Sequence, residues 1–186
     1  MDMKKILKPL ALCFVLCLII SCDIRIPEVD SIPPTFSFQI QGDGFSRTFT
    51  QDDDFSRIQL NLRGNTEYRF IYSGADQGGV GLIQWQLGDR SQLEFIRPEF
   101  PFDSWFIRDV SALSRMIEWS GDREEPKTGA ILSGSFRTSD IADNALDSGL
   151  FRFFVSDFGG QSGTSNNIRG NLNIAIQNSE TSLSEF

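Results

Sequence analysis

The chain predicts an all-β fold in which two sheets pack as a sandwich, and three observations carry that expectation. Apolar residues recur at period two in one short run after another. Clusters of Gly, Asn, Asp and Pro divide those runs. No window of a dozen residues carries a convincing helical stripe.

Taken in order, residues 36–40 alternate Phe36, Phe38 and Ile40, and residues 58–62 alternate Ile58, Leu60 and Leu62. Arg63-Gly64-Asn65-Thr66 then turns the chain into 67–73, EYRFIYS. Residues 81–87 place Ile83, Trp85 and Leu87 on one face. Shorter strands are expected at 92–97, 104–110 and 115–119, then at 130–136, 151–156 and 171–176. Segment 111–119 is the best helix candidate, but Met116, Ile117 and Trp119 suit a strand as well. One domain is expected over 36–178, with 179–186 a polar tail that frays.

One phrase occurs twice. YRFIYSGADQGG (68–79) and LFRFFVSDFGG (150–160) both run aromatic, Arg, Phe, two apolar residues and Ser, then close on Asp and two glycines. Trp85 falls fifteen residues beyond Phe70, and Asp147-Ser148-Gly149-Leu150-Phe151-Arg152-Phe153 precedes Asp157 and its two glycines. These features resemble the immunoglobulin-like Greek-key β-sandwich, including its cadherin-like and fibronectin III-like variants. In that fold a Trp on strand C packs on a B–F core pair, and a tyrosine corner precedes the second core Cys. The resemblance implies that 68–73 is strand B and 151–156 is strand F, in opposite sheets with their turns at one end. Phe70 and Phe153 then stand in the two core Cys places and Phe151 in the Tyr place. The corner's hydroxyl bond is lost with the Tyr, and packing of Phe replaces the disulfide. The span exceeds the usual ~100 residues of such domains, and the surplus falls between 88 and 128.

The start of the chain reads as an export signal. Lys4, Lys5 and Lys8 precede an apolar run from Leu10 to Ile20, far shorter than the roughly 20 residues a membrane span needs. Ile19-Ile20-Ser21-Cys22 resembles the lipobox of bacterial lipoproteins. That resemblance implies removal of 1–21 and acylation of Cys22, with palmitate-type chains tethering the protein to a membrane of the cell envelope. The outer membrane and the periplasmic face both remain open. Cys13 and Cys17 leave with the signal, so the domain is expected without a disulfide. Residues 22–35 hold Pro27, Pro33 and Pro34 and read as a tether, extended to about 40 Å at ~3.1 Å per residue. A partly docked first strand is the alternative reading.

Composition narrows function. Without Lys4, Lys5, Lys8 and Asp2, the chain keeps 14 basic and 24 acidic residues, which disfavours a nucleic-acid partner. It has no His, so the commonest general base and zinc ligand are missing. No G-x-S-x-G elbow, phosphate loop or metal signature occurs, and the chain reads as non-catalytic and without a cofactor. A carboxylate pair of the kind glycosidases use is the one enzymatic route left open.

Four groups of residues are candidate sites. Asp76, Gly78 and Gly79 with Asp157, Gly159 and Gly160 either shape tight strand exits or form a binding rim. Phe100, Phe102, Trp105 and Phe106 lie around Pro98 and Pro101, where part of the segment is expected to be loop. They either cap the core, stack on sugar rings or anchor a protein partner. Asp140, Asp143, Asn144 and Asp147, or Asp52-Asp53-Asp54, or the pair Asp76 and Asp157, offer oxygens for calcium, but none matches an EF-hand loop and no metal is expected. The expected role is a binding or structural module for an unidentified protein in surface assembly. Carbohydrate capture beside a glycan uptake system is the alternative.

Overall fold

The computed structural model describes residues 25–87, 92–99, 105–111, 114–142 and 146–186, and its regular structure is all strand. In chain order the strands are β1 (Thr35–Gly42), β2 (Phe45–Thr50), β3 (Ile58–Arg63), β4 (Glu67–Ala75), β5 (Val80–Leu87) and β6 (Leu93–Glu99). β7 (Trp105–Asp109), β8 (Arg115–Ser120), β9 (Gly129–Thr138), β10 (Asp147–Asp157), β11 (Asn167–Gln177) and β12 (Ser182–Glu185) follow. Five strands form one sheet in the order β2-β1-β4-β9-β6, and seven form the other as β12-β3-β11-β10-β5-β8-β7. Every pairing is antiparallel except β3 with β11.

The result is the immunoglobulin-like sandwich that the sequence predicts. β1-β4-β9-β6 repeats the A-B-E-D order, and β11-β10-β5 repeats G-F-C with β8 and β7 added beyond C. The chain reaches those places by its own route, because β6 joins the far edge of the other sheet before β7 and β8 return to β5. That detour is the surplus after residue 88. Pro98 sits inside β6, which pairs on one side only, so its missing N–H costs no ladder bond to a second neighbour.

Alternation builds the core. Tyr68, Phe70 and Tyr72 of β4 point inward, as do Phe151, Phe153 and Val155 of β10, and all are essentially inaccessible to solvent. Phe70 and Phe153 share one core and meet through β1, whose Phe38 ring lies 6.3 Å from the first and 4.9 Å from the second. Trp85 packs edge-on against Phe70 at 4.8 Å and Phe151 at 5.1 Å. A fully buried ring contributes roughly 1.5–3 kcal/mol and a disulfide about 2–4 kcal/mol, so two such rings match the bridge they replace. All three Cys lie at positions 13, 17 and 22, outside the described residues.

Three features differ from the sequence reading. β2 is an additional strand, paired with β1 through a two-residue turn in which Asp43 and Gly44 adopt φ of 50° and 73°. Part of the supposedly frayed tail is β12, which pairs with β3. The bond missing from the tyrosine corner is supplied elsewhere: buried Gln92 donates to Asp147 Oδ1 at 2.7 Å and to the Ser148 carbonyl at 3.0 Å.

Candidate functional site

The two Asp-x-Gly-Gly turns, 76–79 and 157–160, meet at one end of the sandwich. Phe158 N donates to the Gly79 carbonyl at 2.8 Å, and Gly160 N to the Gly78 carbonyl at 3.2 Å. Asp76 Oδ1 accepts Gly78 N at 2.7 Å, closing its own turn. Asp157 instead accepts Asn166 N at 2.5 Å and Asn166 Nδ2 at 2.9 Å, so it ties β10 to the start of β11. Gly79, Gly159 and Gly160 hold φ of 90°, 72° and 85°, a region that L side chains rarely enter. Burial lifts the Asp76 carboxyl from 3.8 to about 6 against the pull of the Gly78 N–H, and the nearby charges of Asp157 and Asp30 add to the lift.

A third segment completes this end, and the extended-tether reading misplaced it. Residues 26–30 form a strap bonded to the β10–β11 loop. The Pro27 and Glu28 carbonyls accept Gln161 N at 3.0 Å and Ser162 N at 2.9 Å, while Asp30 N donates to the Gly159 carbonyl at 2.8 Å. Gln161 Nε2 reaches the Ile26 carbonyl at 2.9 Å, and Asn166 Nδ2 the Asp30 carbonyl at 3.1 Å. Proline removes a donor and keeps its acceptor, so a Pro-containing segment still docks onto a loop rich in N–H groups. The glycines make room for it. A Cβ on Gly160 would lie 2.6 Å from the Pro27 carbonyl oxygen, and one on Gly78 would lie 2.8 Å from Asp30 Cβ. Arg123 buttresses the same loop, donating to the Phe158 and Gln161 carbonyls. The strap leaves a cleft of about 330 Å³ against the end of β4, lined by Asp30, Ile32, Pro33, Ala75, Asp76 and Thr128. Hence the rim holds the chain's own leading segment.

A second surface lies on the outer face of the seven-stranded sheet. One cross-strand row runs Phe106–Glu118–Gln84–Phe154–Arg169, and the next runs Arg108–Met116–Gln86–Arg152–Asn171. At about 4.8 Å per strand each row is about 19 Å long. Arg108, Arg152 and Arg169 are exposed, as is Phe106 at 41%, while Glu118 is 7% exposed. Arg108 Nη2 lies 3.1 Å from Glu118 Oε2, which also accepts Gln84 Nε2, and Arg169 covers the Phe154 ring at 5.1 Å. The face is therefore basic and aromatic on an acidic protein. Sequence reasoning reached Phe106 but missed its row, because five strands assemble it. Phe100 and Phe102 lie outside the described residues, and Trp105 is described by its backbone pairing with Trp119.

The remaining acidic candidates shape turns. Asp53 takes Thr50 N at 2.8 Å and Arg47 Nη2 at 2.7 Å, and Asp54 takes Ser56 Oγ at 2.6 Å. Asp147 is held by Gln92, Asp140 is exposed, and Asp143 and Asn144 lie outside the described residues. Among the described residues no group of three or more acidic side chains converges as for a metal. At the end opposite the rim, Asp43 Oδ2 accepts both Thr181 N and Thr181 Oγ1 at 2.9 Å. The Thr181 N–H holds this carboxyl below its ordinary value, helped by the Thr181 hydroxyl and by Arg63 at 3.4 Å, against the opposing effect of burial.

Compared as a sequence, the chain matches no protein-family model and no curated protein. Its fold is similar to those of solved β-sandwich modules. One is the seventh ScaB type I cohesin from Pseudobacteroides cellulosolvens, at 10% identity and TM-score 0.43, covering 66% of this chain and 94% of that one. Another is the cohesin module of a Clostridium perfringens family 33 glycoside hydrolase, at 12% identity and TM-score 0.39, covering 65% and 96%. A third is a C-terminal fragment of the major pilin of Streptococcus agalactiae, at 6% identity and TM-score 0.44, covering 81% and 61%.

Proposed function

We propose that the chain is a non-catalytic binding module of the bacterial cell envelope, anchored through an acylated Cys22, that docks an acidic protein partner on the outer face of its seven-stranded sheet. The anchor rests on the Ile19-Ile20-Ser21-Cys22 sequence and the basic, apolar stretch before it. The observation that carries the docking is the paired rows holding Phe106, Phe154, Arg108, Arg152 and Arg169 on a chain whose balance is strongly acidic. Arg and aromatic side chains dominate binding energy at protein interfaces, and a basic patch selects an acidic surface. The outer face of the five-stranded sheet instead carries aliphatic Ile71 and Ile131 near its centre, with Arg69 beside them and Arg137 4.0 Å from Glu67.

Photo-crosslinking in intact cells tests this reading. A crosslinker replacing Arg152 or Phe106 is expected to capture one acidic protein, and a crosslinker at Ile71 to capture none. Arg152→Glu with Arg169→Glu is expected to weaken that complex about ten-fold or more per charge at low salt, with the melting temperature unchanged. Crosslinks arising only from the Ile71 face, or binding on a glycan array without any captured protein, would overturn it.

A further inference from the structure

We infer that the strap end of the sandwich is the membrane-facing end, and that Val29 and Ile32 rest in the lipid headgroup layer. This rests on the acylation of Cys22 proposed above. Among the described residues the first docked one is Ile26, only four residues beyond Cys22. Four Cα steps reach at most about 14 Å in any conformation, close to the depth of a headgroup layer and its adjoining water. Seven hydrogen bonds tie the strap to the β10–β11 loop and the start of β11, so the anchor cannot let the domain swing away as a free stalk would. On that strap Val29 is 64% exposed, and two residues beyond the strap Ile32 is 68% exposed, which places two large aliphatic side chains in solvent beside a segment otherwise held by backbone bonds. A lipid surface is the partner that both the reach and the apolar chemistry fit. The adjacent β8–β9 loop carries exposed Asp122, Glu124 and Glu125 against Arg123 and Lys127, and with Glu28 and Asp30 of the strap this end keeps a net negative charge that repels an anionic surface. Contact is therefore strongest on zwitterionic lipid, and the basic rows on the seven-stranded sheet are left to the partner.

The full chain, processed in cells, supplies the test, because after signal removal a cysteine introduced at position 29, 32 or 146 is the only free thiol. Mass spectrometry first establishes the lipid on Cys22. Nitroxides are then attached in Val29→Cys, Ile32→Cys and, at the opposite end, Leu146→Cys, in phosphatidylcholine nanodiscs. The labels at 29 and 32 are expected to collide more with oxygen than with a water-soluble nickel chelate, by several-fold relative to the label at 146. Adding phosphatidylglycerol is expected to reduce that preference. Equal nickel accessibility at 29, 32 and 146 in a chain of confirmed acylated mass overturns the membrane contact and leaves the anchor standing. An unmodified Cys22 in membrane-derived protein overturns both.

Discussion

Gly160 and Gly44 share a left-handed backbone and differ in surroundings, and that difference separates a strained position from a functional one. Gly44, at φ 73°, would offer an added Cβ open space. Its replacement by Ala carries only the conformational cost of positive φ, about 1–2 kcal/mol. Gly160, at φ 85°, would drive a Cβ to 2.6 Å from the Pro27 carbonyl oxygen, and the strap would have to move. Gly160→Ala is expected to cost more in urea unfolding than Gly44→Ala and, unlike it, to open Glu28 to cleavage by a glutamate-specific protease. Equal cleavage in the two variants would show that the rim does not hold the strap. The same residue scale accounts for Trp85 and Trp119, whose buried indole N–H groups have no hydrogen-bond partner among the described residues. Ring burial outweighs that loss, as it does wherever a large aromatic side chain fills a core with one polar atom unmet.

At the scale of elements, β12 shows what a local pattern cannot announce. Ser-Leu-Ser-Glu has one apolar residue, Leu183, and no alternation to read. The strand forms because Asn61 Nδ2 reaches Ser184 Oγ at 2.6 Å and Asp43 holds Thr181 in front of it, contacts that span more than a hundred residues. Asp43→Asn retains the tolerance for positive φ and removes the charge, so several-fold faster opening of the β12 amides is expected in hydrogen exchange at neutral pH. The sign with pH follows from the lowered carboxyl: this contribution is present above 3.8 and is lost as pH falls through the lower folded value. β12 protection should drop there in the wild type and stay flat in the variant. β2 was more legible than β12, since Asp43-Gly44 is a strong two-residue hairpin signal. Its inward set of Phe45, Arg47 and Phe49 conceals the apolar period, with Arg47 turned to Asp53. The central strands were legible because each has an uninterrupted buried set. The doubled phrase also located the rim, since strands in equivalent places of opposite sheets end together. The strap was not legible, because carbonyl acceptors dock it and every residue has one. Phe106 was found as an aromatic residue, but its basic row comes from register across five strands.

On the scale of the whole molecule, the two ends of the sandwich respond to pH in opposite directions. At the far end a carboxylate is stabilised by donors, and at the rim Asp76 is pushed toward its neutral form by burial and by Asp157 and Asp30. A carboxyl whose folded value lies near 6 and whose unfolded value is 3.8 favours the folded state fully below 3.8. That contribution is lost as pH rises through about 6, and it does not return above it. The net negative charge of the chain also grows over this range and destabilises any compact state, so the wild-type curve alone does not isolate Asp76. Asp76→Asn does. Its amide oxygen still accepts the Gly78 N–H, its volume is unchanged, and the background charge otherwise titrates alike in both proteins. The variant is expected to melt higher than the wild type at neutral pH, with the gap closing as pH falls below 6 toward 3.8. Protection of the Gly78 and Gly160 amides is expected to follow the same difference, because Asp76 sits where the strap, β4 and the β10–β11 loop meet. A gap that stays constant across this interval, or a variant that melts lower at neutral pH, would mean that the Asp76 carboxylate is already compensated at the rim. The strap would then hold equally well in its charged form.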